Sequence, residues 1–226
     1  MKKFYKVLLL LLTFTFLSTY NPKDFNISEK NNEFFKIKNI KITNTNLIKK
    51  EDIYSKLDHI YNKNIFLLKK KDIEEPLQGI NFLEKIEVKK KYPNSILVKI
   101  FETKPLAILF KNKIKYIIDS SSNLNSFDQN NNIYQLPKVF GEGAEGNFLH
   151  FINKLKKNNF PLEHIKNFYY FQIGRWDLEL IDNKTIKFPH TKIDDTIRKS
   201  VELLNRKDFK NYKIIDLRVV GKIIVE

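Results

Sequence analysis

The sequence predicts an α+β chain in three parts: an N-terminal single transmembrane helix, a compact β-α-α-β-β domain, and a β-rich domain with two packed helices. Three observations carry this. Lys2, Lys3 and Lys6 precede an apolar run from Val7 to Leu17. Two segments of helical apolar spacing lead into two alternating runs around Tyr92-Pro93-Asn94-Ser95. From Pro105 onward, short strand-like runs are split by Asn, Gly or Pro, with two amphipathic stretches among them. The expected parts are residues 1–20 (cytoplasmic tip and anchor), 21–33 (linker), 34–103 (first domain) and 104–226 (second domain).

A membrane span needs about 20 mostly apolar residues, with about 17 as a lower limit. Phe4 to Tyr20 reaches that limit if Lys6 snorkels to the interface. The side chains expected in lipid are Val7, Leu8, Leu9, Leu10, Leu11, Leu12, Phe14, Phe16 and Leu17. Thr13, Thr15, Ser18 and Thr19 can bond to their own helix, so they do not forbid insertion. The competing reading is a cleaved signal peptide, which needs a small-residue cleavage site. "FLSTYNP" has none, and a chain without Cys cannot be a lipoprotein. The positive-inside rule puts the N-terminus in the cytoplasm and Asn21 to Glu226 beyond the inner membrane.

The polar stretch Asn21 to Glu33 has no apolar period and is expected as a linker. Phe35, Ile37, Ile40 and Ile42 then form a strand interrupted near Lys38–Asn39. Ile53, Leu57 and Ile60 share one helical face, and Ile73 and Leu77 another. Pro76 removes a donor and crowds the preceding turn, so that second helix is expected short or kinked. Leu83, Ile86 and Val88 run into the Tyr92–Ser95 turn, where Pro fixes φ and Asn favours a turn. Ile96, Val98 and Ile100 return on alternate positions, giving a three-stranded sheet covered on one face by two helices. Beyond Pro105, strands are expected at "LAILF", "KIKYIID", "YQLPKVF", "IKNFYYFQI", "RWDLELI", "KTIKF" and "YKIIDLRVVGKIIVE". The two helices are expected at Asn147–Lys157 and Lys192–Asn205.

The net charge of +15 would suit nucleic acid, but nearly all of it is Lys, dispersed among Asn and Ile; Arg occurs only at 175, 198, 206 and 218. Arg is the side chain suited to bidentate phosphate and base recognition. No nucleic-acid partner is therefore expected, and no small-molecule substrate. Absent Cys excludes disulfides and thiolate chemistry. His59, His150, His164 and His190 lack metal-ligand spacing. "GEGAEG" (Gly141–Gly146) lacks the P-loop Lys-Ser/Thr and carries two glutamates, so it reads as an ordinary loop. "TKID" (Thr191–Asp194) reads as a capping box, with Asp194 and Asp195 offsetting the helix dipole. Ser120–Ser122 lies in a turn without nucleophile-elbow context. Trp176 reads as a core aromatic on a strand. No catalytic, metal or cofactor-binding residue is expected.

The closing "IIDLRVVGKIIVE" is strongly β-forming, with Gly221 marking a bulge or turn. A terminal strand often lies at a sheet edge, where unpaired N–H and C=O groups can receive another chain. The alternative is that a neighbouring strand already pairs both sides.

Taken in order, these pieces resemble the FtsQ/DivIB family of bacterial cell-division proteins. The likeness lies in "FKIKNIKITNTN", "NIFLL", Tyr92-Pro93 followed by a returning strand and Glu102-Thr103-Lys104-Pro105, "YIIDSSSNL", "LPKVFGEGA", "RWDLELIDNKTIKF" and "IIDLRV". Two departures are Pro76 in the second helix and Pro189-His190-Thr191 in place of a Gly- and basic-rich turn. The resemblance implies a POTRA domain over residues 34–103 and a non-catalytic scaffold at the division septum, linking early and late division proteins. It implies partners of the FtsB–FtsL type, bound by strand addition through Asp216, Leu217, Arg218, Lys222, Ile223, Ile224 and Val225. Arg218 is expected to pair either with a partner carboxylate or internally with Asp216. Two other classes stay open: a POTRA-bearing secretion or outer-membrane assembly component, and a periplasmic hydrolase using Asp182, Asp194 and Asp195.

Overall fold

The N-terminal run folds as a helix, α1 (Lys2–Thr19), in the computed structural model of the chain, which describes residues 2–19, 33–127, 135–219 and 221–226. Tyr20 and the expected linker, apart from Glu33, lie outside the described residues. Thr13, Thr15 and Ser18 donate hydroxyl bonds to the carbonyls of Leu10, Leu12 and Thr15, as expected. The eighteen residues of α1 rise about 27 Å, short of the roughly 30 Å hydrocarbon core, and its lysines and hydroxyls dilute the apolar run. Among the described residues no helix is long and apolar enough to cross a membrane. The expected span through Val7–Leu12, Phe14, Phe16 and Leu17 is corrected accordingly: a helix forms there, but among the described residues it is not long and apolar enough to cross.

The described residues group into two compact units. One comprises Met1–Thr43, Ile53–Leu77 and Glu87–Lys99, the other Asn44–Asp52, Gln78–Ile86 and Ile100–Glu226.

Mainly in the first unit, whose bounds fall between Asp52 and Ile53, Ile86 and Glu87, and Lys99 and Ile100, β1 (Asn39–Thr43) begins within the expected break and pairs in parallel with β3 (Ser95–Glu102), Asn39 opposite Ser95 and Thr43 opposite Lys99. β2 (Leu83–Lys91) completes a sheet of order β1-β3-β2. A parallel pair needs a long crossover. The chain supplies it with α2 (Lys50–Leu57) and α3 (Lys71–Leu77). Pro76 lies inside α3, which is only seven residues long, as expected of a helix that loses a donor there. Alternation buries Ile40, Ile42, Ile96 and Val98, and helical spacing buries Ile53, Leu57, Ile60, Ile73 and Leu77. Each such side chain contributes about 1.5–3 kcal/mol on burial.

The second unit holds a sheet of nine strands among the described residues: β4 (Pro105–Lys111), β5 (Ile114–Asp119), β6 (Leu124–Ser126), β7 (Lys138–Phe140), β8 (Ile165–Phe171), β9 (Arg175–Leu180), β10 (Thr185–Lys187), β11 (Ile214–Asp216) and β12 (Ile224–Val225). Their order is β12-β11-β10-β9-β8-β7-β4-β5-β6. The step from β7 to parallel β8 runs through α4 (Ala144–Lys157), and the step from β10 to parallel β11 through α5 (Ile193–Leu204). Six register partners, Leu109, Val139, Phe168, Leu178, Ile186 and Ile215, form one row across the sheet, all buried. They share one core with Phe148, Phe151 and Leu155 of α4 and Ile197 and Leu203 of α5. Trp176 is in that core as expected, stacked on Phe151 with ring centroids 5.0 Å apart.

Hydrogen bonds explain why Asn44–Asp52, Gln78–Ile86 and Ile100–Thr103, expected in the first domain, group with the second unit. The Glu102 carboxylate accepts the N–H groups of Asn46, Leu47 and Ile48 at 2.9–3.0 Å. Phe82 donates to the Asn125 side chain at 2.7 Å, and Thr103 donates its hydroxyl to buried Asp119 at 2.8 Å.

The terminal run forms two short strands on either side of Gly221, which takes φ +79°, in keeping with the bulge or turn expected there. Two local expectations change. "TKID" makes no capping box: Lys192, in the left-handed region, occupies the cap position and no side chain caps the helix. β6 was not expected; its central Asn125 is a buried polar residue that breaks any apolar alternation.

Candidate partner-binding edge

β12 is the outermost strand at one end of the nine-stranded sheet. It pairs antiparallel with β11, Ile215 opposite Val225 and Asp216 opposite Ile224. The Glu226 N–H donates to the Ile214 carbonyl at 3.2 Å, and the Ile214 N–H to that of Glu226 at 3.1 Å. In an antiparallel ladder such exchanging pairs alternate with non-bonded ones. Glu226 and Ile224 therefore direct their backbone groups inward to β11, while Ile223 and Val225 direct theirs to the open side. These are the rungs another strand would use.

The side chains expected here divide into buried and accessible sets. Leu217 is a core residue and Asp216 is buried, whereas Ile223 and Ile224 are exposed and Val225 half-buried. Arg218 pairs internally: its guanidinium donates to both Asp216 carboxylate oxygens at 2.5–2.9 Å, and its backbone N–H donates to Oδ1 at 3.0 Å. These bonds hold the Asp216 carboxyl below the usual carboxylate range and push the Arg218 guanidinium up. Register places Asp177 of β9, Lys187 of β10, Asp216 and Ile224 in one row. Burial pushes the Asp177 carboxyl up against the opposing pull of Arg175, Arg218 and Lys187. The row ends in exposed Ile224, an apolar side chain beside the Asp216–Arg218 ion pair.

Beside the edge lies a recess of about 360 Å³ lined by Lys192, Thr196 and Lys199 of the α5 region and by Leu217, Val219, Gly221, Lys222 and Ile223 of the β11–β12 turn, with Asp195 at its rim. Lys199 is answered by Glu202 and Asp195 by Arg198. The sequence alone did not point to Lys192, Lys199 or Val219, since only the return of the chain after α5 brings them to the turn. Asp182, Asp194 and Asp195 each face their own cation, Lys184, Lys154 and Arg198. "GEGAEG" is spent on backbone geometry: a Cβ at Gly141 (φ +115°) would sit 2.1 Å from the Tyr170 carbonyl oxygen. Glu145 there is tied to Lys111. Among the described residues no group of three or more His, Cys, Asp or Glu could hold a metal ion.

Residues 35–103 match the family model "POTRA domain, FtsQ-type", and residues 108–218 match "Cell division protein FtsQ/DivIB, C-terminal". The chain belongs to the FtsQ/DivIB family. It is 29% identical over 153 residues to the cell division protein FtsQ of Rickettsia conorii, covering 64% of this chain and 55% of that protein. Against FtsQ of Rickettsia typhi the identity is 28% over 160 residues, covering 66% and 57%. The chain thus spans a little over half the length of the curated relatives it matches. The major extracytoplasmic domain of the division protein DivIB from Geobacillus stearothermophilus aligns at 12% identity over 47% of this chain and 99% of its own, but a TM-score of 0.29 is too loose a likeness to carry the fold. The FtsQ/DivIB C-terminal match ends at Arg218, so β12 lies beyond it and its role rests on geometry.

Proposed function

We propose that this FtsQ/DivIB-family chain is a non-catalytic scaffold of the division machinery at the septum, and that it holds an FtsB–FtsL-type pair by adding a partner strand to β12. The observation that carries the reading is the outward rungs at Ile223 and Val225, set beside the apolar Ile224 and the recess under α5. Main-chain pairing supplies affinity and alternate side-chain pockets supply specificity. Lys192 and Lys222 at the recess favour an acidic residue in the incoming strand. Arg218 contributes through Asp216, by keeping a buried carboxylate neutralised beside the edge, rather than by reaching the partner. The open sheet, with β12 and β6 at its two ends, gives no support to an outer-membrane barrel component, and the separate pairing of Asp182, Asp194 and Asp195 gives none to a hydrolase. Deleting Lys222–Glu226 is expected to abolish capture of a purified FtsB–FtsL pair; undiminished capture would place the partner site elsewhere.

We also read α1 as lipid-bound without assigning it a crossing. Its described large apolar side chains, Leu8 to Leu12 among them, are all exposed, so the chain gives them no core of its own. Release of the full chain from membranes by carbonate washing would sink this reading.

A further inference from the structure

The first unit exposes an aromatic patch that neither the strand edge nor the core uses. Phe34, Phe35, Phe66 and Tyr92 form a continuous chain of ring contacts with centroids 5.0–5.2 Å apart. Phe34 is 59% exposed, Phe66 55% and Tyr92 58%, and Leu67 beside Phe66 is 77% exposed. Contiguous exposed apolar surface of this kind marks an interaction site. The segments that supply it are rich in lysine. Within the first unit, residues 35–43, 59–71 and 88–99, which include Phe35, Phe66 and Tyr92, together contain eleven lysines and no Asp or Glu, and Glu33 stands beside Phe34. Lys90 sits at the patch, its Nζ 3.4 Å from the Phe66 carbonyl oxygen. Lys36 is paired with Glu33 and Lys70 with Glu74, and Lys99 also has a partner.

We propose that this patch, Phe34, Phe66, Leu67 and Tyr92 with Lys90 and the neighbouring lysines, rests on the surface of an anionic lipid bilayer. Aromatic side chains at headgroup level with lysines beside them are the composition of an interfacial contact. Juxtamembrane lysines are drawn to anionic headgroups over about a Debye length. Connectivity favours lipid over an acidic protein. Phe34 follows Thr19 of α1 by fifteen residues, so even a fully extended chain keeps the patch within roughly 50 Å of the end of α1. A lipid-bound α1 therefore holds the patch at high effective concentration beside the bilayer. The inference rests in this respect on the reading of α1 given above.

Because the natural chain has no Cys, a single environment-sensitive label can be placed cleanly. The full chain would carry it at Leu67→Cys in one sample and at Leu10→Cys in another, each reconstituted into vesicles of phosphatidylglycerol with phosphatidylcholine and of phosphatidylcholine alone. The expected result is a blue-shifted Leu67→Cys label that gains accessibility to oxygen over a water-soluble quencher in anionic vesicles, with the shift lost in neutral vesicles or high salt. Substituting Phe34→Ser and Phe66→Ser, both on exposed side chains, is expected to reduce it. A label at position 67 that stays water-exposed in anionic vesicles overturns the proposal, as does one that shifts only when a division partner is added. The label at position 10 separates the two readings. If it is lipid-buried while position 67 stays wet, α1 is lipid-bound and the patch is not; if both are wet, both fail.

Discussion

Replacing Val225 by proline is the sharpest probe of the strand edge. Val225 points its N–H away from β11, and the neighbouring inward bonds belong to Ile224 and Glu226. Proline at 225 therefore removes an outward donor and sets its ring where a partner strand would lie, while the β11–β12 hairpin keeps its own bonds. One backbone bond contributes about 0.5–1.5 kcal/mol, and the partner carbonyl left unpaired costs about 1–3 kcal/mol more. The expected loss is about 2–4 kcal/mol, or roughly 30- to 700-fold in Kd. Titration calorimetry against a purified FtsB–FtsL pair reads the affinity, and a melting curve of the free protein checks that the fold is kept. Ile224→Pro makes the contrast, since it breaks an inward bond and is expected to loosen the hairpin even without partner. If Val225→Pro binds within about threefold of the wild type at an unchanged melting temperature, strand addition at β12 is wrong.

Three further outcomes follow from the interior. Glu102→Ala leaves the Asn46, Leu47 and Ile48 N–H groups without their carboxylate, and since that loop is partly solvated the expected cost is about 2–4 kcal/mol, read as a lower urea midpoint at unchanged slope. Gly141→Ala drives a Cβ into the Tyr170 carbonyl from a left-handed backbone, so the melting temperature is expected to fall by about 4–8 °C or more. Bonds from Lys166, Asn167 and Tyr169 bring the Glu179 carboxyl down to about 2 from its ordinary value of 4.5. A depressed carboxylate stabilises the fold above its unfolded pKa and loses that contribution as pH falls through the folded one. Stability is therefore expected to decline between about pH 4.5 and pH 2, and Glu179→Gln should flatten that part of an acid-unfolding curve.

What the sequence made legible was local. Alternation in Ile96, Val98 and Ile100 and helical spacing in Phe148, Phe151, Ile152 and Leu155 identify buried faces because one side chain after another reports the same neighbour. Asp216 and Arg218 stand two apart in extended backbone, so their pairing was open to inference, although the choice between an internal and an external partner was not. The recess beside β12 was invisible because Lys192, Thr196 and Lys199 meet Val219 and Ile223 only through the packing of α5. The capping motif failed for a nearer reason: the left-handed Lys192 takes the cap position that the motif needs in an extended conformation. α1 failed on magnitude, since its apolar count sat at the lower limit and the dilution by Lys6, Thr13, Thr15 and Ser18 decided the outcome.

The location of the proposed receiving edge follows from topology rather than from any single residue. β11 is reached from β10 by a parallel crossover through α5, so it settles on the outer side of β10 with its other side unfilled. A short turn can return the chain only antiparallel and adjacent, which puts β12 outside β11 and leaves the open rungs on β12. With two residues in the strand and Ile224 exposed, that edge is too short to be a core element. Local opening is cheapest where few apolar groups are buried, so two-residue β12 is expected to open readily, and a strand added there would order it. The internal Asp216–Arg218 pair would lower the cost of burial beneath the proposed partner, because the carboxylate is already satisfied within the chain. Under the proposed function a partner would engage the open side of β12 at Ile223 and Val225, while fold stability is carried by the buried row from Leu109 to Ile215, whose register continues onto Val225.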